Sequence, residues 1–151
     1  MNTGCELPQY NPPSERIKDI LKHHQKIAVV GLSPKPERDS HKVARYLQDK
    51  GYDVVPINPG QKEILGKPSY PNLKAVPFPV EIVDIFRRPD AIGPIVGDAI
   101  TIGAKVVWMQ LGIANNEAAR TALDAGLEVV MSKCIKIEHM NMEKEESTLM
   151  L

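Results

Sequence analysis

Apolar residues along the chain gather into five short runs, and stretches with helical spacing separate them. The runs are centred on Ile27-Ala28-Val29-Val30, Val54-Val55-Pro56-Ile57, Ile82-Val83-Asp84-Ile85-Phe86, Val106-Val107-Trp108-Met109 and Val129-Val130-Met131. Short, nearly continuous apolar runs predict strands buried on both faces, here over 27–30, 53–57, 81–86, 105–109 and 128–131. In the intervening stretches Val43, Ala44 and Leu47 recur at helical spacing, as do Ile92, Ile95, Val96, Ala99 and Ile100. Ala118, Ala119, Ala122 and Leu123 do the same. Gly51, Gly103 and Gly126 stand where these helices should end. Before the first strand, Ser14 is placed to cap a short helix whose buried stripe is Ile17, Ile20 and Leu21.

Proline and charge mark the rest. Pro8, Pro12 and Pro13 make 1–13 an irregular N-terminal arm. Pro56 removes a ladder donor and predicts a short or weakened second strand. Residues 61–65 have room for about one helical turn, and the glycine and prolines from Gly66 to Pro79 make the next stretch a connecting loop. One or two helical turns are expected over 134–139, and 141–151 reads as a flexible C-terminal tail. Regular alternation of strand and helix over 14–140 predicts an α/β domain: a single Rossmann-like, doubly wound parallel sheet of about five strands with helices on both faces. The expected strand order is 3-2-1-4-5, with right-handed crossovers and a switch point between the first and fourth strands.

With 151 residues, 42% of them apolar, the chain suits one soluble domain. Nineteen basic and nineteen acidic residues cancel, and the aromatic supply is thin, so neither nucleic acid nor a membrane surface is an expected partner. Cys5 and Cys134 make neither a disulfide framework nor a metal set, which favours a reducing, cytoplasmic setting. The polar start lacks the apolar core of a signal peptide. No apolar run approaches the ~20 residues of a membrane span.

Ligands of such sheets bind beyond the carboxyl ends of the strands. Those ends deliver Gly31, Leu32, Ser33, Lys35, Arg38 and Ser40, then Asn58, Pro59 and Lys62. Phe86, Arg87 and Arg88 follow the third run, Gln110, Leu111 and Gly112 the fourth, Ser132 and Lys133 the fifth. In a neutral protein this edge is rich in Lys and Arg, with Glu37 and Asp39 opposing on the first loop, and it suits a polyanionic small molecule. The dinucleotide fingerprint G-x-G-x-x-G is absent, since Ser33 and Pro34 follow Gly31. The acid that would hold a bare ribose diol is replaced by Asn58-Pro59, and Lys62 suits a ribose phosphate better. Both departures disfavour an NAD(H) sensor or dehydrogenase.

These segments resemble the small stand-alone CoA-binding proteins, similar to the CoA-binding domain of the succinyl-CoA synthetase alpha subunit and of ADP-forming acyl-CoA synthetases. The resemblance covers about residues 15–139. It rests on the segments 28–33, 56–59, 82–87 and 134–139, and on Val106, Trp108, Gln110, Leu111 and Gly112. It implies coenzyme A or an acyl-CoA bound in extended form. Gly31, Leu32 and Ser33 would meet the phosphates, with Arg38 and Ser40 nearby. Asn58 and Pro59 would line the adenosine side, Phe86 and Arg87 would flank the adenine or pyrophosphate, and Gln110 and Gly112 would face the pantetheine arm.

Catalysis by the chain alone is not expected. The synthetases use a histidine in a further domain, and His23, His24, His41 and His139 show no acid or nucleophile partner. His41 is either a phosphate donor or a solvated helix residue, and His139 is expected to be surface or structural. Asp84 is expected to cap a helix or pair with an arginine, and Trp108 to pack in the core. Cys134 reads first as a small buried residue and second as a partner for the CoA thiol in a mixed disulfide. A detached ligase subunit needing a partner chain is the alternative function, and a homo-oligomer is left open.

Overall fold

The computed structural model describes residues 6–149; Cys5 lies outside them. Five parallel strands form one sheet. In chain order they are β1 (Lys26–Val30), β2 (Asp53–Ile57), β5 (Ile82–Ile85), β6 (Val106–Met109) and β7 (Glu128–Val130). A small antiparallel hairpin, β3 (Glu63–Ile64) and β4 (Lys67–Pro68), lies between the second and third of these. It replaces the helical turn expected over 61–65, because Leu65 and Gly66 both take positive φ, the geometry of a tight two-residue hairpin turn.

Two helical layers cover the sheet. Helices α1 (Ser14–His23), α2 (Asp39–Asp49) and α5 (Ile135–Leu149) pack on one face against Val29, Ile82 and Trp108. Helices α3 (Ile92–Thr101) and α4 (Asn116–Asp124) pack on the other against Val30, Val83 and Met109. Every residue of β5 and β6 is buried, as the apolar run of β6 and that of β5 around Asp84 lead one to expect of central strands. Asn115 caps α4, its Oδ1 accepting from the Ala118 N–H at 3.0 Å. Ser14 is the first residue of α1 rather than its cap; the Pro13 carbonyl accepts from Arg16 and Ile17.

The doubly wound parallel sheet is as expected, but the strand order is not. The sheet runs β2-β1-β5-β6-β7, so the third long strand lies beside β1 instead of outside β2. Pro56 supplies the reason. The Pro56 carbonyl points away from β1 and accepts from the Tyr70 N–H at 3.0 Å. The missing Pro56 N–H would point the same way, where a further parallel strand would need it. So β2 is full length and sits at the edge, where its proline costs no ladder bond. The crossover after β2 passes to the far side of β1, and the switch point moves to the boundary of β1 and β5.

The described residues near each end, in the arm and in α5, are more tightly held than the sequence suggests. In the arm, the Asn11 side chain donates to the Met131 carbonyl and accepts from the Met131 N–H, at 2.8 and 2.7 Å. The expected tail from 141 is the continuation of α5 to Leu149. Met142 is buried, and Lys18–Glu145, Lys22–Glu146 and Lys50–Glu143 pair α5 with α1 and α2. His139 is buried and structural: its ring meets Tyr46 and Tyr52 edge-on, and its Nδ1 lies 2.8 Å from the Tyr46 hydroxyl.

Asp84 departs from its expected role. It is fully buried between Val29 and Trp108, and among the described residues neither carboxylate oxygen has a hydrogen-bond partner. It caps no helix and meets no arginine. Burial holds its carboxyl well above the ordinary aspartate range, so the folded chain keeps this proton where the unfolded chain loses it. The stability from this group is therefore full below about pH 4 and declines as pH rises toward the folded-state value. Asp84→Asn should gain stability relative to the wild type on going from pH 4 to pH 7, by at most about 1.4 kcal/mol per pH unit. Urea unfolding at several pH values checks this; a difference that stays flat with pH contradicts it.

Candidate functional site

The carboxyl end of the sheet is shaped by a tight turn after β1. Gly31 has φ +87°, and a Cβ there would stand 2.5 Å from the Phe86 carbonyl oxygen. Only glycine permits that approach. The Gly31 N–H donates to the Ile57 carbonyl at 3.0 Å, so one residue joins the ends of β1, β2 and β5.

Beyond Gly31 the loop is held from within. The Leu32 side chain is wholly buried, and its carbonyl accepts from Asn58 Nδ2 at 2.9 Å. Asn58 Oδ1 accepts from the Gly60 N–H, which fixes the second loop as well. The Ser33 N–H donates to Ser40 Oγ at 3.0 Å, and Ser33 Oγ accepts from the Lys35 N–H. His41 Nδ1 lies 2.9 Å from the Ser33 carbonyl. A carbonyl only accepts, so Nδ1 carries the proton. His41 is thus buried as a brace for the loop, neither of the roles expected for it. The N–H groups of Gly31 and Ser33 are engaged within the chain; the exposed donors nearby belong to Lys35, Arg38 and Arg87.

Two cavities open at this edge, one on each face, because alternation sends Phe86 and Arg87 to opposite sides. The smaller, about 140 Å³, lies on the α3 side; Gly31, Pro59 and Arg87 line it, with Asn72 and Asp98 opposite. The larger, about 370 Å³, lies on the α2 and α5 side and is bounded by Phe86, Gln110, Leu111 and Cys134. Gln110 Oε1 accepts from the Ile135 N–H at 3.1 Å and so anchors the start of α5. Gly112 has φ +84° and donates to Ser132 Oγ at 3.0 Å.

Nine of the eleven residues singled out from sequence therefore fall into three groups. Gly31, Pro59 and Arg87 surround the smaller cavity, Phe86 and Gln110 border the larger, and Leu32, Ser33, Ser40 and Asn58 hold the loops between. Arg38 and Gly112 are exposed on loops, and neither lines either cavity. Asn72 and Asp98 also line the smaller cavity without a signal in the sequence, since they come from the irregular crossover and from α3, where no spacing marks a ligand. Cys134, expected first as a small buried residue, is half-buried, with a free thiol, on the wall of the larger cavity. Among the described residues no group of three or more His, Cys, Asp or Glu is placed to hold a metal.

Residues 25–140 match the family described as the CoA binding domain. The chain belongs to the CoA binding domain family. It is 40% identical over 129 residues to the uncharacterized protein YneT of Bacillus subtilis, covering 85% of this chain and 96% of YneT. A hypothetical protein from Pyrococcus horikoshii, of known structure, superposes with a TM-score of 0.84 at 42% identity, covering 90% of this chain and 99% of that one. An ADP-forming acetate–CoA ligase of Archaeoglobus fulgidus is 25% identical over 122 residues. That match takes in 72% of this chain and only 17% of the ligase. The CoA binding domain here thus resembles both stand-alone proteins and one part of a larger ligase. No helix among the described residues is long and apolar enough to cross a membrane.

In this domain Gly31→Ala should destabilise the fold by at least about 1 kcal/mol, from the left-handed backbone and the contact with the Phe86 carbonyl. Equilibrium denaturation reads the effect; an unchanged midpoint contradicts the tight turn.

Proposed function

We propose that this protein binds coenzyme A or an acyl-CoA across the switch point of its sheet and does not by itself catalyse a reaction. The observation that carries the proposal is the family match over 25–140, which spans every loop at the carboxyl edge. The geometry supports it in three ways. The loop after β1 is rigid and carries exposed cations at Lys35 and Arg38. Arg87 reaches the smaller cavity beside Pro59, on the side assigned to adenosine and its phosphates. Exposed Lys62, just beyond Asn58-Pro59, is suited to a ribose phosphate. Gln110 stands at the other side, where the pantetheine arm would run toward the larger cavity.

A second reading is a detached subunit of an acyl-CoA ligase, and the match to part of the Archaeoglobus ligase favours it. Candidate partner chains supplied with ATP or GTP, a carboxylic acid and CoA would then yield an acyl-CoA only when this chain is present.

Isothermal titration of the full chain with CoA, dephospho-CoA and NAD tests the first reading. CoA should bind tightest, dephospho-CoA more weakly and NAD weakest. Arg87→Ala should weaken CoA about tenfold or more, the worth of a charged hydrogen bond, without lowering the melting temperature. NAD binding more tightly than CoA overturns the proposal.

A further inference from the structure

The larger cavity has a wall that phosphate and adenine do not need. Val43 of α2, Phe86 after β5, Leu111 and Ile113 after β6, and Ile137 of α5 bring apolar side chains to it. Two of these are exposed: Leu111 at 65% and Ile137 at 47%. Large apolar side chains left in water around a concave opening mark a place where apolar surface is meant to be covered.

Two polar groups of the same wall are turned to other tasks. Gln110 Oε1 holds the Ile135 N–H. Lys136 lies with its Nζ 5.4 Å from the centre of the Tyr46 ring, a cation–π contact. Lys42 and Asp39, of opposite sign, share the α2 side. What remains is a chamber of about 370 Å³ whose free surface is mainly hydrocarbon, next to Gln110.

We infer that this chamber receives the acyl group of an acyl-CoA, and that the protein prefers short apolar acyl chains to free CoA and to carboxylated chains. The inference rests on the CoA reading above and adds the chemical class of the group carried. The thiol end of the pantetheine arm reaches the cavity past Gln110, and the chain bonded to that sulfur covers Phe86, Leu111, Ile113 and Ile137. No covalent step on the protein is required. Each methylene buried there should tighten binding roughly threefold to fourfold until the chamber is full.

Titration of the full chain with CoA, acetyl-CoA, butyryl-CoA, hexanoyl-CoA and succinyl-CoA tests this. Butyryl-CoA should bind about tenfold tighter than acetyl-CoA, and succinyl-CoA should gain nothing over acetyl-CoA. Leu111→Gln with Ile137→Gln changes two exposed side chains, and thermal melting verifies that the variant is folded. In it the butyryl-to-acetyl ratio should fall toward one. Equal affinity for CoA and all its thioesters overturns the inference while leaving CoA binding intact. So does tightest binding of succinyl-CoA, or a ratio that the folded double variant does not change. Failure of every one of these compounds to bind overturns the CoA reading itself.

Discussion

The contact between Gly31 and the Phe86 carbonyl is the constraint on which the rest of the carboxyl edge depends. At the end of β1 the chain must turn away from the sheet while still touching β5, and only a residue without a Cβ can do so. The same residue donates to Ile57, so the ends of three strands are tied at one point. From there the loop is braced by Asn58, Ser40 and His41, and Phe86 and Arg87 part to opposite faces. The two cavities follow from that parting. A long ligand, anionic at one end and apolar at the other, has a place for each end on either side of a single rigid turn.

Polar side chains at this edge mostly serve the protein itself. Ser33, Ser40, Asn58, His41 and Gln110 satisfy backbone groups that the short loops would otherwise leave open. Such bracing fixes the loops before any ligand arrives, which lowers the ordering cost of binding. Asp84 is the exception. A fully buried carboxyl with no partner among the described residues is a net burden on stability, lightened by keeping its proton. It lies on the same face as Phe86 and Gln110, two residues back along β5 and level with Trp108 of β6.

Much of this was legible in the sequence. The five apolar runs gave the strands, helical spacing and glycine stops gave the central helices, and the strand ends gave most of the residues lining the edge. The strand order is not legible there, because Pro56 reads in the sequence as a weakness of β2 rather than as the mark of an edge. The direction of its missing N–H decides the matter, and that depends on register. The length of α5 is hidden because its buried residues, Ile135, His139 and Met142, end at 142 while Ile137 and Met140 are exposed; beyond them ion pairs with α1 and α2 hold it, and pairing across helices leaves no local signal. Asp84 was expected to have a partner because buried acids usually do. Asn72 and Asp98 reach the smaller cavity from parts of the chain whose approach depends on the crossover.

Amide hydrogen exchange on the full chain, with and without saturating CoA, tests most directly that the ligand lies across the switch point. The account predicts slowed exchange in the loops after β1, β2, β5 and β6, around 31–40, 58–62, 86–88 and 110–113. No change is expected at the amino ends of the strands or in α1. Protection confined to α1 and the amino ends of the strands, or equal protection by NAD at the same concentration, would contradict it.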